Sequence, residues 1–177
     1  MSPRIEPIGP DDWRRWRDVR VRALAEDPDA FACSAHLLGA DAPEEQWRRA
    51  LGDRTIHLAV DAGRDVGMIG LRPGAEPELV SMWVAPEARR AGVGRLLVDA
   101  VLEQAGERPV ILRVMAGNDA AIAFYAGRGF VLTSREPDQE GALTMRRAAP
   151  AARGAWPRPA GRPRRPGAPP PGPTADQ

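Results

Sequence analysis

The sequence has no lysine, one cysteine and one tyrosine among its 177 residues, and each scarcity narrows the available chemistry. All 25 basic residues are arginines, so a mechanism that needs a lysine amine is excluded. The single cysteine, Cys33, cannot form a disulfide within the chain, which favours a reducing compartment. The two histidines, His36 and His57, stand far apart with no cluster of metal-ligating residues around them, so we expect no metal site.

Long apolar runs are missing as well. No stretch approaches the roughly 20 apolar residues that a membrane-spanning helix needs. The N-terminus becomes charged and reaches Trp13 too early to resemble a signal peptide. We therefore expect a cytoplasmic protein with no membrane partner.

The net charge of +1 is unevenly distributed along the chain. Residues 148–177 hold five arginines against Asp176, whereas the rest of the chain holds 20 arginines and 23 acidic residues. A slightly acidic main part gives no general reason to expect nucleic-acid binding.

The same C-terminal segment differs from the rest in composition. It contains nine prolines and four glycines in thirty residues, which leaves little to bury against the cost in conformational entropy. We expect a folded domain of residues 1–147 and a disordered tail of residues 148–177 with local polyproline II character. Pro163–Pro166 fits a PxxP ligand, although a solvated basic tail is the simpler interpretation.

Apolar periodicity divides the main part into alternating strands and helices. Seven strands are predicted at RIEPI, TIHLAV, VGMIGLR, ELVSMWV, PVILRVM, FVLTS and ALTMRR. The first helix is expected to begin at Asp11 or Asp12 and to bury Trp13, Trp16, Val19 or Arg20, Ala23 and Leu24. The second helix has Asp41 as its expected N-cap. The overall pattern is mixed α/β.

Two further helices surround the fifth predicted strand. The first of them, GVGRLLVDAVLEQA, is expected to face inward with Val93, Leu96, Leu97, Ala100, Val101 and Ala105. The second, NDAAIAFYAGRG, has Asn118 as its N-cap and a glycine stop at Gly127 or Gly129.

Two glycines and three arginines stand in ARRAGVGRLL, where the buried strand before it passes into a helix. Glycine costs a helix roughly 1 kcal/mol relative to alanine, so the bare backbone must serve another purpose. The unpaired N–H groups of a helix N-terminus attract phosphate, and glycine permits close approach. Arg89, Arg90 and Arg95 add charge, so the stretch predicts a pyrophosphate site. It lacks the third glycine of a dinucleotide-binding turn, because Leu97 stands there, and it is no P-loop.

The run Arg89–Gly94, an Arg-x-x-Gly-x-Gly pattern, resembles the acyl-CoA-binding motif of the GNAT superfamily of N-acyltransferases. NDAAIAFYAGRGF, Asn118–Phe130, resembles the second signature of that family at the expected spacing. The resemblance covers about residues 3–147. It implies a single α/β (α+β) domain with a mixed, mostly antiparallel, splayed sheet and helices on both faces. The implied order, numbered along the chain, is β1-α1-α2-β2-β3-β4-α3-β5-α4-β6-β7.

The resemblance also implies roles for individual residues toward acetyl-CoA, the implied co-substrate. Backbone N–H groups around Arg90–Arg95 would hold the pyrophosphate, and the backbone near Met82 and Val84 would pair with the pantetheine arm where the sheet splays. An N–H of that strand would polarise the thioester carbonyl. The full implied coenzyme-binding set is Met82, Trp83, Val84, Arg89, Arg90, Ala91, Gly92, Val93, Gly94, Arg95 and Asn118.

Tyr125 would act as the general acid that protonates the departing thiolate. The alternative is that this tyrosine is a core aromatic beside Phe124. Asn118 would both cap its helix and touch the coenzyme, with capping alone as the alternative.

The general base is expected at Glu78, which alternation along its strand would place on one face with Val80, Met82 and Val84. Glu76, a water chain, or an exposed carboxylate with no role remain as alternatives. His57 is expected to be an ordinary, partly exposed strand residue. His36 is isolated beside the loop between the first two helices, and a place in the lining of the acceptor site is only an alternative for it.

The expected function is transfer of an acetyl group from acetyl-CoA to a primary amine by direct attack in a ternary complex. The loops Pro28–Ala42 and Glu136–Gly141 would define the acceptor, and their acids slightly favour a cationic small-molecule amine over a protein N-terminus. Two alternatives remain, namely a non-catalytic acyl-CoA sensor and an interaction protein that acts through its basic tail. A homodimer also stays open.

Overall fold

The computed structural model describes residues 3–31 and 38–149. Its strands are β1 (Arg4–Ile8), β2 (Thr55–Asp61), β3 (Arg64–Arg72), β4 (Glu78–Val84), β5 (Val110–Met115), β6 (Val131–Leu132) and β7 (Ala142–Arg147). Its helices are α1 (Trp13–Glu26), α2 (Glu44–Gly52), α3 (Val93–Ala105) and α4 (Asp119–Ala126). The element order predicted from the sequence is therefore confirmed.

The seven strands form one sheet in the order β1-β2-β3-β4-β5-β7-β6. Neighbouring strands run antiparallel except for β4 and β5, which are parallel and are connected through α3. Only Glu78 and Leu79 of β4 pair with β5, so the two strands separate from Val80 onward. This separation is the splay that the family resemblance implied, and it opens the middle of the sheet.

Helices cover both faces of the sheet and bury one continuous apolar core. On the α1 side, Trp16 and Trp47 are fully buried and meet edge to face with ring centroids 5.1 Å apart. In α3, Val93, Leu97, Val101 and Ala105 recur every fourth residue and form the buried stripe.

Details of α3 and α2 differ from the sequence predictions. Leu96 is 39% exposed, and Val98 is buried in its place, because the two residues lie on opposite sides of the stripe through Leu97. The N-cap of α2 is Pro43 rather than Asp41, since the Pro43 carbonyl accepts the first helical hydrogen bonds from Gln46 and Trp47.

The first helix also begins differently from the expectation. Asp12 occupies the N-cap position of α1, but its side chain accepts from the Gly9 N–H outside the helix rather than capping the helix. At the other end of the fold, α4 passes into Gly127 in helical conformation, and Gly129 carries the positive φ of +85° that turns the chain.

No helix in the described ranges is long and apolar enough to cross a membrane. Cys33, His36 and the tail from Pro150 lie outside the described residues, so the predictions made for them stay predictions.

Candidate active site

The gap between β4 and β5 exposes backbone groups of β4 that have no partner strand. The Ala85 N–H donates to the Val66 carbonyl of the β3 side. Because backbone direction alternates along a strand, the N–H and C=O groups of Val84 point the other way, toward the gap, where the carbonyl accepts a hydrogen bond from Arg89 Nε. The gap therefore offers a strand edge without a partner strand inside the sheet, as the pantetheine prediction requires.

A β-bulge interrupts β4 at Ser81. Ser81 has a φ of +56°, and the pairing with β3 shifts register between Met68 and Gly70. A bulge disturbs the simple alternation of side chains, but Glu78, Val80 and Met82 nevertheless line a common cleft. Met82 also reaches the start of α3, where its Cε would lie 3.2 Å from a Cβ placed on Gly94.

Directly after β4, the chain turns into α3 with a row of free backbone donors. The first backbone hydrogen bond of α3 runs from the Leu96 N–H to the Gly92 carbonyl. No backbone or side-chain acceptor within the described ranges receives the N–H groups of residues 90–95. Positive φ values at Arg90 (+64°) and Gly92 (+82°) curl this stretch. Such a run of N–H groups at a helix N-terminus suits phosphate oxygens.

The two glycines of this turn serve different local purposes. Gly92 needs to be glycine because of its φ of +82°, while a Cβ there would meet nothing within 4 Å. Gly94 has ordinary φ, but a Cβ would lie 3.2 Å from Met82 Cε and 3.4 Å from Phe124 Cζ. Gly94 therefore lets α3 approach Met82 and α4 closely.

The arginines of the motif are not equivalent. Arg89 donates from Nε to the Val84 carbonyl at 3.0 Å and from Nη2 to Asp27 at 2.6 Å, so it ties this turn to the end of α1. Trp83 donates to the same carboxylate and is buried, which leaves only its backbone for a coenzyme. Arg95 is largely exposed, and its nearest ionic partner is Asp99, 3.7 Å away.

A cleft lies between α1, the turn Pro28–Phe31, the gap side of β4 and α4. It is lined by four of the residues that the sequence singled out, Glu78, Met82, Asn118 and Tyr125. Asn118 also caps α4, because its Oδ1 accepts from the Ala121 N–H at 3.1 Å. The N-capping prediction for Asn118 is thus confirmed, and its side of the helix faces the cleft.

A family model described as the acetyltransferase (GNAT) family matches residues 16–130, which contain the gap, the turn and α4. The chain belongs to the GNAT acetyltransferase family. The enzyme class predicted from the sequence, an acyl-CoA-dependent N-acetyltransferase, is thereby confirmed at the level of the family.

The similar proteins differ in how much of their length this GNAT domain covers and in their sequence identity to it. The chain is 32% identical over 142 residues to a mycothiol acetyltransferase of Kocuria rhizophila, and the match covers 72% of the chain but only 45% of that relative. Its fold is similar to the PaiA N-acetyltransferase of Thermoplasma acidophilum, solved in complex with coenzyme A. That likeness has a TM-score of 0.64 at 17% identity and covers 84% of this chain and 99% of the other. A GNAT acetyltransferase of Streptococcus pneumoniae gives 0.67 at 19% identity, with 84% and 100% covered.

Tyr125 lies in a largely apolar setting within this GNAT site. Its ring meets Phe124 and Phe130 edge to face, at centroid distances of 5.3 and 5.8 Å. Burial raises the pKa of the Tyr125 phenol well above its ordinary value near 10. The residue is therefore part of the core and lines the cleft as well, and its role as general acid stays a prediction.

The two acids considered as general base each form an ion pair with an arginine. Glu78 lines the cleft and contacts Arg72 through one carboxylate oxygen, whereas Glu76 is paired outside the cleft with Arg146 at 2.7 Å. Of the two candidate bases, Glu78 is the one that the fold brings to the site. The preference for Glu78 over Glu76 rests on this placement.

Two of the three acids in the β6–β7 connection, Asp138 and Glu140, are paired with one arginine. Arg113 donates to Asp138 (Nε to Oδ2, 3.0 Å) and to Glu140 (Nη2 to Oε2, 2.8 Å). The Ala142 N–H and Arg113 together lower the pKa of Asp138. These carboxylates are committed to holding the loop, so they give no support to a cationic acceptor.

His57 departs from its sequence prediction because it is 8% exposed rather than partly exposed. It lies on β2 in register with Pro7, and α3 covers that face near Leu96. No pattern in the sequence indicates this cover, since alternation along β2 cannot reveal which helix packs on it.

Sequence reasoning missed a group of arginines around the cleft, namely Arg20, Arg54, Arg72 and Arg113. A signal existed for Arg20, which falls on the apolar face of α1 and is 2% exposed. Within the described ranges no group of three or more His, Cys, Asp or Glu side chains could hold a metal ion.

Proposed function

We propose that this GNAT domain transfers an acetyl group from acetyl-CoA to a primary amine by direct attack in a ternary complex. The observation that carries the proposal is the continuity of three features along β4: the row of free N–H groups at residues 90–95, the open strand edge, and the cleft with Glu78 and Tyr125. Acetyl-CoA supplies the activated thioester.

Binding of the co-substrate is assigned to the backbone first. The N–H groups of residues 90–95 receive the pyrophosphate oxygens, and the exposed side chains of Arg90 and Arg95 add charge-assisted contacts. Arg89 acts as a positioning residue through Asp27 and the Val84 carbonyl rather than as a free phosphate ligand. The β4 edge receives the pantetheine amides as an added strand would.

The transfer exchanges the thioester bond of acetyl-CoA for an amide bond. The amine nitrogen forms a bond to the acetyl carbonyl carbon, and the carbon–sulfur bond breaks. The amine proton passes to Glu78, directly or through water, and the Tyr125 hydroxyl protonates the leaving thiolate. A free N–H of β4 polarises the carbonyl oxygen. A small-molecule acceptor is favoured over a protein N-terminus because the cleft is bounded by α1 and the turn Pro28–Phe31.

The direct test is release of coenzyme A thiol from acetyl-CoA by the full chain in the presence of a panel of amines. We expect amine-dependent thiol release and an N-acetylated product of matching mass. If acetyl-CoA binds and no amine in a broad panel increases thiol release above the rate without amine, a sensor domain becomes the better description.

A further inference from the structure

Two arginines lie at the end of the cleft that is farthest from the phosphate-binding turn. Arg54, before β2, and Arg72, at the end of β3, line the cleft beside Glu78, the first residue of β4. The phosphate-binding turn follows the last residue of β4. A seven-residue strand separates the two ends by roughly 20 Å, so these arginines face the acceptor side rather than the pyrophosphate.

Arg54 has no carboxylate partner among the residues that the structure describes. No described Asp or Glu lies within ion-pairing distance of its guanidinium, although Asp53 and Glu78 are near enough to act on it electrostatically. Its Nε is buried without a hydrogen-bond partner among the described residues. A half-buried guanidinium with an orphaned donor is costly unless an acceptor is supplied from elsewhere.

The neighbouring charges increase that cost. Arg20 is almost fully buried, and its partners include the Leu38 carbonyl at 3.0 Å and the Ser81 hydroxyl at 3.4 Å. Burial and the positive charge of Arg54 lower the pKa of Arg20 to about 10. Burial and Arg72 likewise lower the pKa of Arg54. Glu78, the one acid among the described residues that line the cleft, is already in contact with Arg72.

We propose that the acceptor amine carries a carboxylate and that Arg54 binds this carboxylate at the far end of the cleft. This inference rests on the proposed acetyl transfer, and it reverses the cationic preference expected from the sequence. A planar guanidinium suits a carboxylate because it donates two parallel hydrogen bonds.

The apolar part of the cleft lining indicates what the rest of the acceptor is like. This apolar surface comes from Trp16, Phe31, Leu79 and Val80. An amino acid with an apolar side chain would therefore match the cleft, with its carboxylate at Arg54 and its amine toward the β4 edge.

The experiment compares each acceptor with a neutral partner. Initial rates of thiol release are measured with L-leucine and L-phenylalanine, and with ω-amino acids of increasing length, against L-leucinamide, L-phenylalaninamide and simple alkylamines. We expect kcat/KM to be at least tenfold higher for a carboxylate than for its amide. Arg54→Gln should raise KM for the carboxylate by roughly 10- to 100-fold, the usual range for loss of a charged hydrogen bond. It should leave the KM for the amide and the KM for acetyl-CoA unchanged.

Arg49→Gln is the matched control, because Arg49 is an exposed arginine of α2 outside the cleft and the charge change is the same. Arg54→Lys, which keeps the charge, should retain part of the preference. Equal kcat/KM for acids and amides, or equal effects of Arg54→Gln on both, would overturn the inference while acetyl transfer stood.

Failure of the proposed function has a different signature. If no amine is acetylated, binding of N-acetyl-L-leucine and of its amide is measured by calorimetry with coenzyme A present. Arg54-dependent binding of the acid alone would support the carboxylate site without the reaction. Absence of that binding would overturn both proposals.

Discussion

At the scale of single residues, Tyr125 combines a structural and a chemical role. Its ring fills the space between Phe124 and Phe130, while the side chain lines the cleft. Because burial raises its pKa, the phenol stays protonated well into the alkaline range. A thiolate formed in the same buried place also gains proton affinity, so the high pKa does not prevent the transfer.

Replacing Tyr125 by phenylalanine tests this role. The ring and its packing remain, so thermal stability and affinity for acetyl-CoA should stay close to those of the wild type. The value of kcat should fall by roughly 10²–10⁴-fold, the contribution typical of a positioned acid. In the wild type, kcat should show no alkaline decline due to Tyr125 below about pH 10, the ordinary tyrosine value. A folded variant with unchanged kcat would remove Tyr125 from the mechanism.

At the scale of elements, the turn into α3 depends on backbone shape more than on side chains. Gly92 and Gly106 flank α3, both with positive φ (+82° and +64°), and at both a Cβ would meet nothing within 4 Å. Gly92 lies in the αL region with ψ of −1°, so alanine should cost about 1–2 kcal/mol there. Gly106 has ψ of −129°, outside the αL region, so alanine should cost at least as much there. Only Gly92 lies among the free N–H groups.

The pair Gly92→Ala and Gly106→Ala thus separates strain from binding. We expect both variants to lose stability in urea unfolding, Gly106→Ala at least as much as Gly92→Ala, and only Gly92→Ala to bind coenzyme A at least tenfold more weakly by calorimetry. The reason is that either the added Cβ or relaxation of the turn disturbs the donors of residues 90–95. Equal affinity in the two variants would return Gly92 to a purely conformational role.

The contrast between predicted and observed elements has a physical basis. Strand and helix order and the Asn118 cap follow from local periodicity, which the sequence displays directly, whereas the splay was implied by the family resemblance that two short motifs carry. The bulge at Ser81 and the exposure of Leu96 depend on pairing with β3 and on how α3 lies across the sheet. Arg54, between α2 and β2, lines the cleft together with Arg72 of β3 and Glu78 of β4, which the sheet brings together from distant parts of the chain, so no spacing in the sequence could have indicated it.

At the scale of the whole molecule, one buried titratable group couples the fold to pH. His57 is enclosed between β1 and α3, and its Nδ1 has no hydrogen-bond partner among the described residues. The acids Asp99 and Glu103 line the nearby groove, and Asp99 is engaged by Arg128. Burial is the cause that lowers the pKa of His57 below its ordinary value of about 6.5.

The lowered pKa sets the sign of a stability change with pH. Above about pH 6.5 His57 is neutral in both the folded and the unfolded chain, and its contribution is constant. Below that value the unfolded chain takes up the proton first, so the free energy of unfolding should fall as the pH decreases toward the folded pKa. The slope is at most about 1.4 kcal/mol per pH unit. Urea unfolding from pH 8 to pH 5 would measure it, with His57→Leu as the control that lacks this titration. Both chains keep His36 and every carboxylate, so the difference between their curves isolates His57. A difference that does not change with pH would show that His57 is not held neutral by burial.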